Sequence, residues 1–483
     1  MRRAKWTLVM FLVGAASGSA QQGTDQLAQL KSQLQQVEQQ MQQLVDVTRR
    51  LEGQITALEK SQNEPPPAVP APSVSLPPPQ LPVTYIGNET RTRQTDNDLA
   101  FEAPRINNEE LDPTLRGYFH VPGTQALIRF TGSVKADFFY DTSYAGLWYG
   151  GLVPSSFPAT PQPNSTDSTV SIRPSRFTVE FRQPIGDDAI KGFVDWDTYG
   201  TNGTTTLRLR SFWGQYKNFL AGQTWSAFGD PDAFPDTLDF AGPPGMMGIR
   251  TPQFRYTRAL TDHTSIGASV ERSGTDAPFF TVYGVPQPTS TRPDIVAFYH
   301  YENRYGHIHA ATIFRSVGGF IPDTPIPDLT RHVAGYGASF SGAWRFGPSR
   351  DNIVFQGIGG KGISNYYSDN YGLGSDVGFA ADGRLVATPS WSATVGFQHY
   401  WTKIIRSTAS YGRLQINNTA ADPPTNYHIS NYASGNIIVQ PSRLYLFGAE
   451  YLYGALQRKN DFEWIGRRIQ FTFSFFFNRY SGE

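Results

Sequence analysis

The sequence predicts an all-β transmembrane antiparallel β-barrel of about 16 strands, preceded by an N-terminal periplasmic coiled coil. Three features indicate this fold: segments in which apolar and polar residues alternate, an export-type N-terminus, and the lack of cysteine among 483 residues. Because the side chains of a strand alternate between two faces, each segment describes a strand with one apolar and one polar face. Roughly 360 residues, at about 20 to 24 per strand and connection, give the strand count. Without disulfides, an exported chain depends on a large core or a closed sheet.

The first 20 residues have the three-part pattern of a secretory signal peptide. Basic residues at positions 2, 3 and 5 precede an apolar run at 6–13, and small residues lead to Ala20, after which cleavage is expected. The apolar run is far shorter than the roughly 20 residues of a spanning helix. Since lipid offers no partner to unpaired backbone groups, an exported chain of this kind enters a membrane as a closed barrel.

Residues 21–62 carry a heptad pattern of apolar residues. Nine of ten positions spaced alternately by three and four are apolar, and Thr48 is the exception. This pattern predicts a coiled coil whose a positions include Leu27, Leu34 and Met41. Because these residues are not β-branched, three or more helices are favoured over two. A single amphipathic helix lying on the barrel is the alternative.

Residues 63–116 are predicted to be a linker. Nine prolines lie between residues 64 and 83, and because proline fits the interior of neither helix nor sheet, they form an extended, semi-rigid spacer. The polar residues 84–113 are further linker or a periplasmic plug. The β-barrel is expected at residues 117–477, and residues 478–483 follow it as a C-terminal tail.

The last predicted strand distinguishes a membrane barrel from a soluble β-sandwich. Phe471, Phe473, Phe475 and Phe477 share one face, as expected of a wall that meets lipid. The polar faces of other strands carry Arg, Lys, Glu and Asp, which a sandwich core could not bury unpaired. A water-filled barrel lumen can hold them. We therefore expect the protein in the outer membrane of a Gram-negative bacterium, with lipid as one of its partners.

One long connection, residues 226–250, is acidic, aromatic and rich in proline. We expect it to fold into the lumen and to form a constriction. A plain external loop is the alternative. The acidic residues of this candidate constriction loop are Asp230, Asp232, Asp236 and Asp239.

Basic residues on the polar faces of the surrounding strands are the candidate pore and substrate-binding residues. They are Arg208, Arg210, Arg250, Arg255, Arg176, Arg129, Lys135 and Arg182. An acidic loop opposite a basic wall sets up a transverse field, and rings of charged residues are one way in which pores select ions. Guanidinium groups also bind carboxylates bidentately, which favours small anionic solutes. Alternatively, individual arginines pair with neighbouring acids and contact no solute.

Other functional classes have weaker support. The 41 basic and 41 acidic residues balance, so no overall field attracts nucleic acid. The chain contains neither G-x-S-x-G nor H-E-x-x-H, so we expect no enzyme, no catalytic residues and no cofactor. His307 and His309 share a face near His300, and wet lumen histidines are expected there rather than a metal site. The alternatives are a coiled-coil tether and a barrel-embedded hydrolase.

Several motifs resemble the DcaP-like trimeric outer-membrane porins. The matching segments are residues 117–124, 173–177, 207–210, 220–226, 235–243 and 250–257. The resemblance is densest over residues 117–257, and the N-terminal coiled coil and proline-rich spacer also fit it. It implies a homotrimer whose arginine-lined pore passes dicarboxylates and other small anions. By motif, it assigns this pore role to Arg208, Arg210, Arg250 and Arg255.

Overall fold

The structure is a computed structural model that describes residues 117–146, 150–186, 188–200, 204–276, 287–288, 292–320, 330–346 and 350–477. The predicted signal peptide, coiled coil, linker and C-terminal tail lie outside the described residues. Among the described residues, no helix has the length and apolar character needed to cross a membrane.

The described part of the chain is built from β-strands. In chain order the strands are β1 (Phe119–His120), β2 (Leu127–Ser143), β3 (Asp167–Ser171), β4 (Arg176–Ile185), β5 (Asp188–Asp197), β6 (Arg208–Tyr216), β7 (Phe219–Trp225), β8 (Arg250–Thr261), β9 (Thr264–Glu271), β10 (Gln287–Pro288), β11 (Asp294–Asn303), β12 (Gly306–Phe320), β13 (Thr330–Arg345), β14 (Asn352–Lys361), β15 (Val377–Phe379), β16 (Leu385–Ala387), β17 (Pro389–Tyr400), β18 (Ile405–Ile416), β19 (Tyr427–Ser442), β20 (Tyr445–Arg458) and β21 (Glu463–Phe477). Short 3-10 turns lie at Pro154–Ser156, Pro231–Ala233 and Ser364–Tyr366.

Sixteen of these strands close into an antiparallel barrel. The barrel strands are β2, β4 to β9, β11 to β14 and β17 to β21, each paired with the next in chain order. The last strand, β21, pairs with β2, where Phe477 lies opposite Gly132. This pairing closes the sheet and leaves no edge. The predicted barrel of about 16 strands is therefore confirmed.

The two faces of the wall differ in polarity. On β21, Phe471 and Phe475 are 51% and 54% exposed, whereas Gln470 and Ser474 are at most 1% exposed. The apolar side chains thus point outward and the polar side chains point into the barrel. This is the alternation of a barrel in lipid.

The two ends of the barrel differ in their connections. Turns of two residues join β6 to β7, β8 to β9 and β19 to β20 at one end. At the other end, residues 226–249 separate β7 from β8, and residues 362–388 separate β14 from β17. In outer-membrane barrels the end with short turns is periplasmic and the end with long connections is external.

Long connections fill part of the lumen with an apolar core. Phe157, Phe228 and Tyr366 come from connections, and they pack in one cluster with wall residues such as Ile313 and Leu414. All five are at most 2% exposed. The connections therefore pack against the inner wall, which sets the space left for solutes.

Candidate pore constriction

Residues 226–249, the lumen loop, lie against the inner wall of the barrel. Inward-facing side chains of three distant strands donate hydrogen bonds to its backbone oxygens. Ser339 Oγ on β13 donates to Phe228 O (2.9 Å), Ser392 Oγ on β17 donates to Gly245 O (2.8 Å), and Gln470 Nε2 on β21 donates to Leu238 O (2.9 Å). Because β13 and β21 lie far apart around the barrel, the loop crosses the lumen.

Glycines in the wall allow this close approach. A Cβ atom added at Gly396 on β17 would lie 2.7 Å from Pro235 Cβ, and one added at Gly412 on β18 would lie 2.6 Å from Pro243 Cβ. Real Cβ atoms do not approach this closely, so the loop prolines fit only where the wall carries no side chain. The proline-rich sequence of the loop and the glycines of β17 and β18 are thus complementary.

Most of the loop's carboxylates bond to the wall or to neighbouring backbone. Asp230 Oδ2 lies 3.0 Å from His307 Nε2 and accepts a hydrogen bond from Ser341 Oγ. Asp236 Oδ2 accepts hydrogen bonds from Arg406 Nε (2.6 Å) and Gln398 Nε2 (2.7 Å). These two carboxylates therefore attach the loop to the wall.

Asp239 and Asp232 have different surroundings. The Asp239 carboxylate accepts hydrogen bonds from Leu152 N (3.0 Å) and Tyr432 OH (3.1 Å), and this residue is 4% exposed. Asp232 borders the cavity described below. The expected arrangement, four loop acids opposite a basic wall, is thus only partly present, because donors on the far wall engage the side chains of Asp230, Asp236 and Asp239.

Arginines line the wall on the other side of the lumen. Arg176 on β4 makes a bidentate pair with Asp195 on β5 (2.7 and 2.5 Å). Arg208 on β6 makes a second bidentate pair with Asp197 (3.0 and 2.7 Å), and Arg210 Nη1 also reaches Asp197 Oδ2 (2.6 Å). Both aspartates are fully buried beneath the arginines.

Arg250, at the start of β8, differs from these three arginines. Its Nε donates to Ser211 Oγ (3.2 Å), and its guanidinium lies 3.5 Å from the centre of the Trp225 ring. Among the described residues, it forms no salt bridge with a carboxylate within 4.0 Å. Its Nη2 and the Nε of Arg210 are buried atoms without a hydrogen-bond partner in the described part of the chain.

A bulge in β6 directs two consecutive residues, Arg210 and Ser211, into the lumen. Asp195 pairs with Ser211 and Trp196 pairs with Leu209, so Arg210 is an extra residue in its strand. A bulge of this kind re-aims side chains that would otherwise alternate. Leu209 is 45% exposed on the outer face, while Arg210 contacts Asp197 inside. Arg208, Leu209 and Arg210 thus alternate as expected, and the bulge changes the direction of Ser211, which is fully buried although it follows an inward residue.

Aromatic rings connect the lumen loop to this basic wall. Phe240 of the loop stacks on Tyr199 with the ring centres 4.6 Å apart. The guanidinium of Arg208 lies 4.9 Å from the Tyr199 ring, and that of Arg210 lies 5.3 Å from the Phe240 ring. These cation–π contacts stabilise the two guanidinium groups beside the aromatic rings.

A cavity of about 750 Å³ lies between the basic wall and the lumen loop. It is bordered on the wall side by Arg176, Arg208, Arg210 and Arg250, and on the loop side by residues that include Asp232, Phe234, Asp236 and Phe240. His300 and His307 also border it. Their rings stack 5.4 Å apart, and no group of His, Asp and Glu residues within the described ranges could hold a metal ion.

Three of the four remaining predicted basic residues lie away from the cavity. Arg129 pairs with Glu180 (2.5 Å), and Arg182, on the same strand as Glu180, sits closer to the short-turn end. Arg255 donates to Gln253 Oε1 and Trp225 O. These three arginines do not border the cavity. Lys135 does border it, but its Nζ donates to Leu238 O (2.5 Å) and so attaches the lumen loop.

Sequence reasoning missed Asp195, Asp197, Tyr199 and Phe240. The two aspartates alternate with Trp196 on β5, which is the strand between those carrying Arg176 and Arg208. Pairing β5 with its two neighbours would have indicated these ion pairs. No local signal marks the stacking of Tyr199 on Phe240, because the two residues come from different connections.

A closed barrel of 16 strands with an apolar exterior, a polar interior and a loop folded inward defines a porin-type outer-membrane channel. The model of the DcaP outer membrane protein family matches residues 119–477, and the chain belongs to this family. The family resemblance predicted from the sequence is thereby confirmed. Its members are channels, which agrees with the prediction that the protein is no enzyme and argues against the hydrolase alternative.

The fold is shared with a solved structure. The outer membrane channel DcaP of Acinetobacter baumannii matches with 20% sequence identity and a TM-score of 0.63, covering 74% of this chain and 99% of that one. An anion-selective porin from Comamonas acidovorans matches with 9% identity and a TM-score of 0.47, covering 73% and 100% of the two chains. No curated protein sequence matches the chain.

Proposed function

We propose that this channel is a passive diffusion pore biased toward small anionic solutes, with carboxylates as the preferred class. The observation that carries the proposal is the charge of the basic wall on one side of the cavity. On this wall, four guanidinium groups (Arg176, Arg208, Arg210 and Arg250) lie with two carboxylates, those of Asp195 and Asp197, so the formal charge of the wall cluster is four minus two, or +2. The loop side of the cavity carries the carboxylates of Asp232 and Asp236. Arg250 adds a guanidinium group that has no carboxylate partner among the described residues.

The net charge of the basic wall is small enough for an anion to bind and then leave. A unit pair at contact distance is worth about 1 kcal/mol in water and about 4 kcal/mol at an intermediate dielectric. The Asp195 and Asp197 carboxylates already offset part of the positive charge, which lowers the attraction for a passing anion. A solute therefore gains enough to enter the cavity and can still leave it.

Dicarboxylates are the substrate class that we favour. A guanidinium holds a carboxylate through two parallel hydrogen bonds, and Arg176 and Arg208 already hold aspartates in this way. Arg250 lies on a strand distant in sequence from Arg176, so one solute can meet guanidinium groups from two strands. The family resemblance supports the same class.

The test is the permeability of a four-carbon dicarboxylate relative to sodium, taken from reversal potentials across a planar bilayer. Arg250→Gln removes the cation that has no carboxylate partner among the described residues, and we expect a fall of at least threefold in this ratio. Arg129→Gln is the control, because Arg129 pairs with Glu180 away from the cavity. An unchanged ratio in Arg250→Gln, or an equal fall in both variants, would contradict the proposal.

We also propose that the protein is a homotrimer held together by its barrel and by a periplasmic coiled coil at residues 21–62. The heptad pattern and the family resemblance support this assembly. Deleting residues 21–83 tests it by light scattering of the purified protein. Loss of trimers with intact conductance would identify the coiled coil as an assembly device. Trimers that persist would point instead to a tethering role for this segment.

A further inference from the structure

Two arginines stand on the outer face of the barrel wall. Arg413 on β18 alternates with Tyr411, which is 45% exposed, while its neighbour Leu414 is fully buried. Arg467 on β21 alternates with the outward residues Ile469 and Phe471, and its neighbour Arg468 is fully buried. Both guanidinium groups therefore lie on the side of the wall that meets lipid, not in the lumen.

Polar and aromatic neighbours organise the site around Arg413. Its Nη1 donates to Asn431 Oδ1 (3.1 Å), and Tyr411 OH donates to the same oxygen (2.9 Å). The guanidinium also lies 5.9 Å from the Trp391 ring. Because two donors occupy the side-chain oxygen of Asn431, its amide nitrogen remains as a further donor beside the arginine.

Arg467 on β21 lies beside an aromatic residue of the neighbouring strand β20. It lies directly opposite Tyr453 in the ladder between β20 and β21, and its guanidinium is 5.9 Å from that ring. Arg413 and Arg467 are three strands apart, which corresponds to about 14 Å across the sheet. Tyrosine and tryptophan beside these cations are typical of the level at which a barrel meets lipid headgroups.

Neither arginine is neutralised by the chain as described. Within the described residues, no carboxylate lies within 4.0 Å of either guanidinium, whereas Arg468, on the inner face, pairs with Asp141 at 2.6 Å. An arginine on the lipid-facing wall is strongly destabilising at the bilayer midplane and nearly neutral near the interface. These two positions therefore fit the interface, where anionic groups are available.

The positions of the two arginines along their strands indicate which interface this is. Arg413 lies three residues before the end of β18 at Ile416, and Arg467 lies four residues after the start of β21 at Glu463. Both strand ends lead into connections on the side of the barrel opposite to the two-residue turns. That side is external in outer-membrane barrels.

We propose that Arg413 and Arg467, together with Asn431, bind the phosphates of lipid headgroups in the outer leaflet. Guanidinium binds phosphate through two parallel hydrogen bonds, and the amide nitrogen of Asn431 supplies a third donor at the first position. The separation of the two arginines suits two phosphates of a large lipid headgroup. This site is independent of the basic cavity in the lumen, because it lies on the opposite face of the wall.

The experiment measures binding of a bisphosphorylated lipopolysaccharide to the purified full-length protein in detergent. The double variant Arg413→Gln/Arg467→Gln is compared with the wild type, and the same lipid without its phosphates is the matched probe. We expect the double variant to bind the phosphorylated lipid at least fivefold more weakly. The dephosphorylated lipid should bind both proteins equally.

Arg258→Gln is the control variant. Arg258 is an exposed arginine of β8, and its strand neighbours Phe254 and Tyr256 are outward-facing, but it lies three residues from the short turn after Thr261. Its replacement should leave lipid binding unchanged. The heat-shifted mobility of the barrel on a gel verifies that each variant has folded.

Three results would overturn the proposal. Equal affinity of the wild type and the double variant would show that the arginines contact no lipid phosphate. Loss of oligomers in the folded double variant would assign this surface to subunit contact. Displacement of the lipid by inorganic phosphate alone, at millimolar concentration, would identify a site for the free anion.

The reversal potential of the double variant is expected to match that of the wild type. Failure of the lipid-binding proposal is therefore distinguishable from failure of the proposed pore function.

Discussion

Charged side chains are paired differently on the two sides of the lumen. On the side of β4 to β8, three arginines share two buried carboxylates, and Arg250 has no carboxylate partner among the described residues. On the side of β12 to β21, donors such as His307 and Arg406 engage carboxylates of the lumen loop. One side thus keeps an excess of positive charge, while the other uses its charges for attachment.

This difference shows that the field in the lumen depends on pairing rather than on composition. The whole chain has a formal charge of zero, and its lumen loop is acidic. The basic wall nevertheless keeps an arginine excess on its side of the cavity, because Asp230 and Asp236 of the loop bond to the far wall and not to these arginines. Charge counts along a sequence therefore do not give the sign of a pore's field.

Removing the two carboxylates of the basic side should have the largest effect. Asp195→Asn/Asp197→Asn raises the formal charge of the cluster from +2 to +4. We expect a stronger anion preference in the reversal potential and a loss of about 3–5 kcal/mol in stability, because the arginines lose their buried carboxylate partners. Urea unfolding measures the second effect. Unchanged selectivity would mean that these carboxylates do not shape the field.

Releasing the lumen loop from the far wall should have the next largest effect. Asp230→Asn/Asp236→Asn weakens charge-assisted hydrogen bonds to His307 and Arg406, each worth about 1.5–3 kcal/mol. We expect larger and noisier single-channel currents, because the loop no longer holds one position.

Asp382→Asn is the control for this experiment. Asp382 pairs with Arg384 at an exposed site in the connection between β15 and β16, where its side chain is 52% exposed. Quiet, unchanged currents in the loop double variant would show that these aspartates do not hold the loop.

A steric change tests the fit of the loop against its wall and should have the smallest effect. Gly412→Ala places a Cβ atom 2.6 Å from Pro243 Cβ, and we expect a loss of about 1–3 kcal/mol in stability. Gly435→Ala on β19 has nothing within 4 Å of the added atom and should stay within about 0.5 kcal/mol of the wild type. Equal stability of the two variants would contradict the tight packing of the loop.

The fold was predictable because alternation extends over whole strands. The phenylalanine stripe of β21 and its opposing polar residues gave the two faces of the wall correctly. Alternation tells which face a side chain occupies, but not its height in the barrel. Arg255 follows Arg250 by five residues, or about 17 Å along the strand, and so lies away from the cavity.

The charge arrangement of the site was less predictable for two physical reasons. A bulge at Arg210 turns Ser211, the hydrogen-bond partner of Arg250, into the lumen, and no residue type in that stretch marks the bulge. The partner of Asp236 is Arg406, which is 170 positions away in the sequence. Contacts over such distances follow from closure of the barrel, so local sequence patterns do not reveal which loop acids face the lumen.

The most direct test of the central claim is the reversal potential under a potassium chloride gradient, with and without Arg208→Gln/Arg210→Gln. These changes remove two of the four cations that border the cavity and leave Asp195 and Asp197 in place. We predict that wild-type channels prefer chloride and that the double variant loses this preference or prefers potassium. A folded, conducting variant with the wild-type reversal potential would contradict the claim that the arginines of this wall set the selectivity.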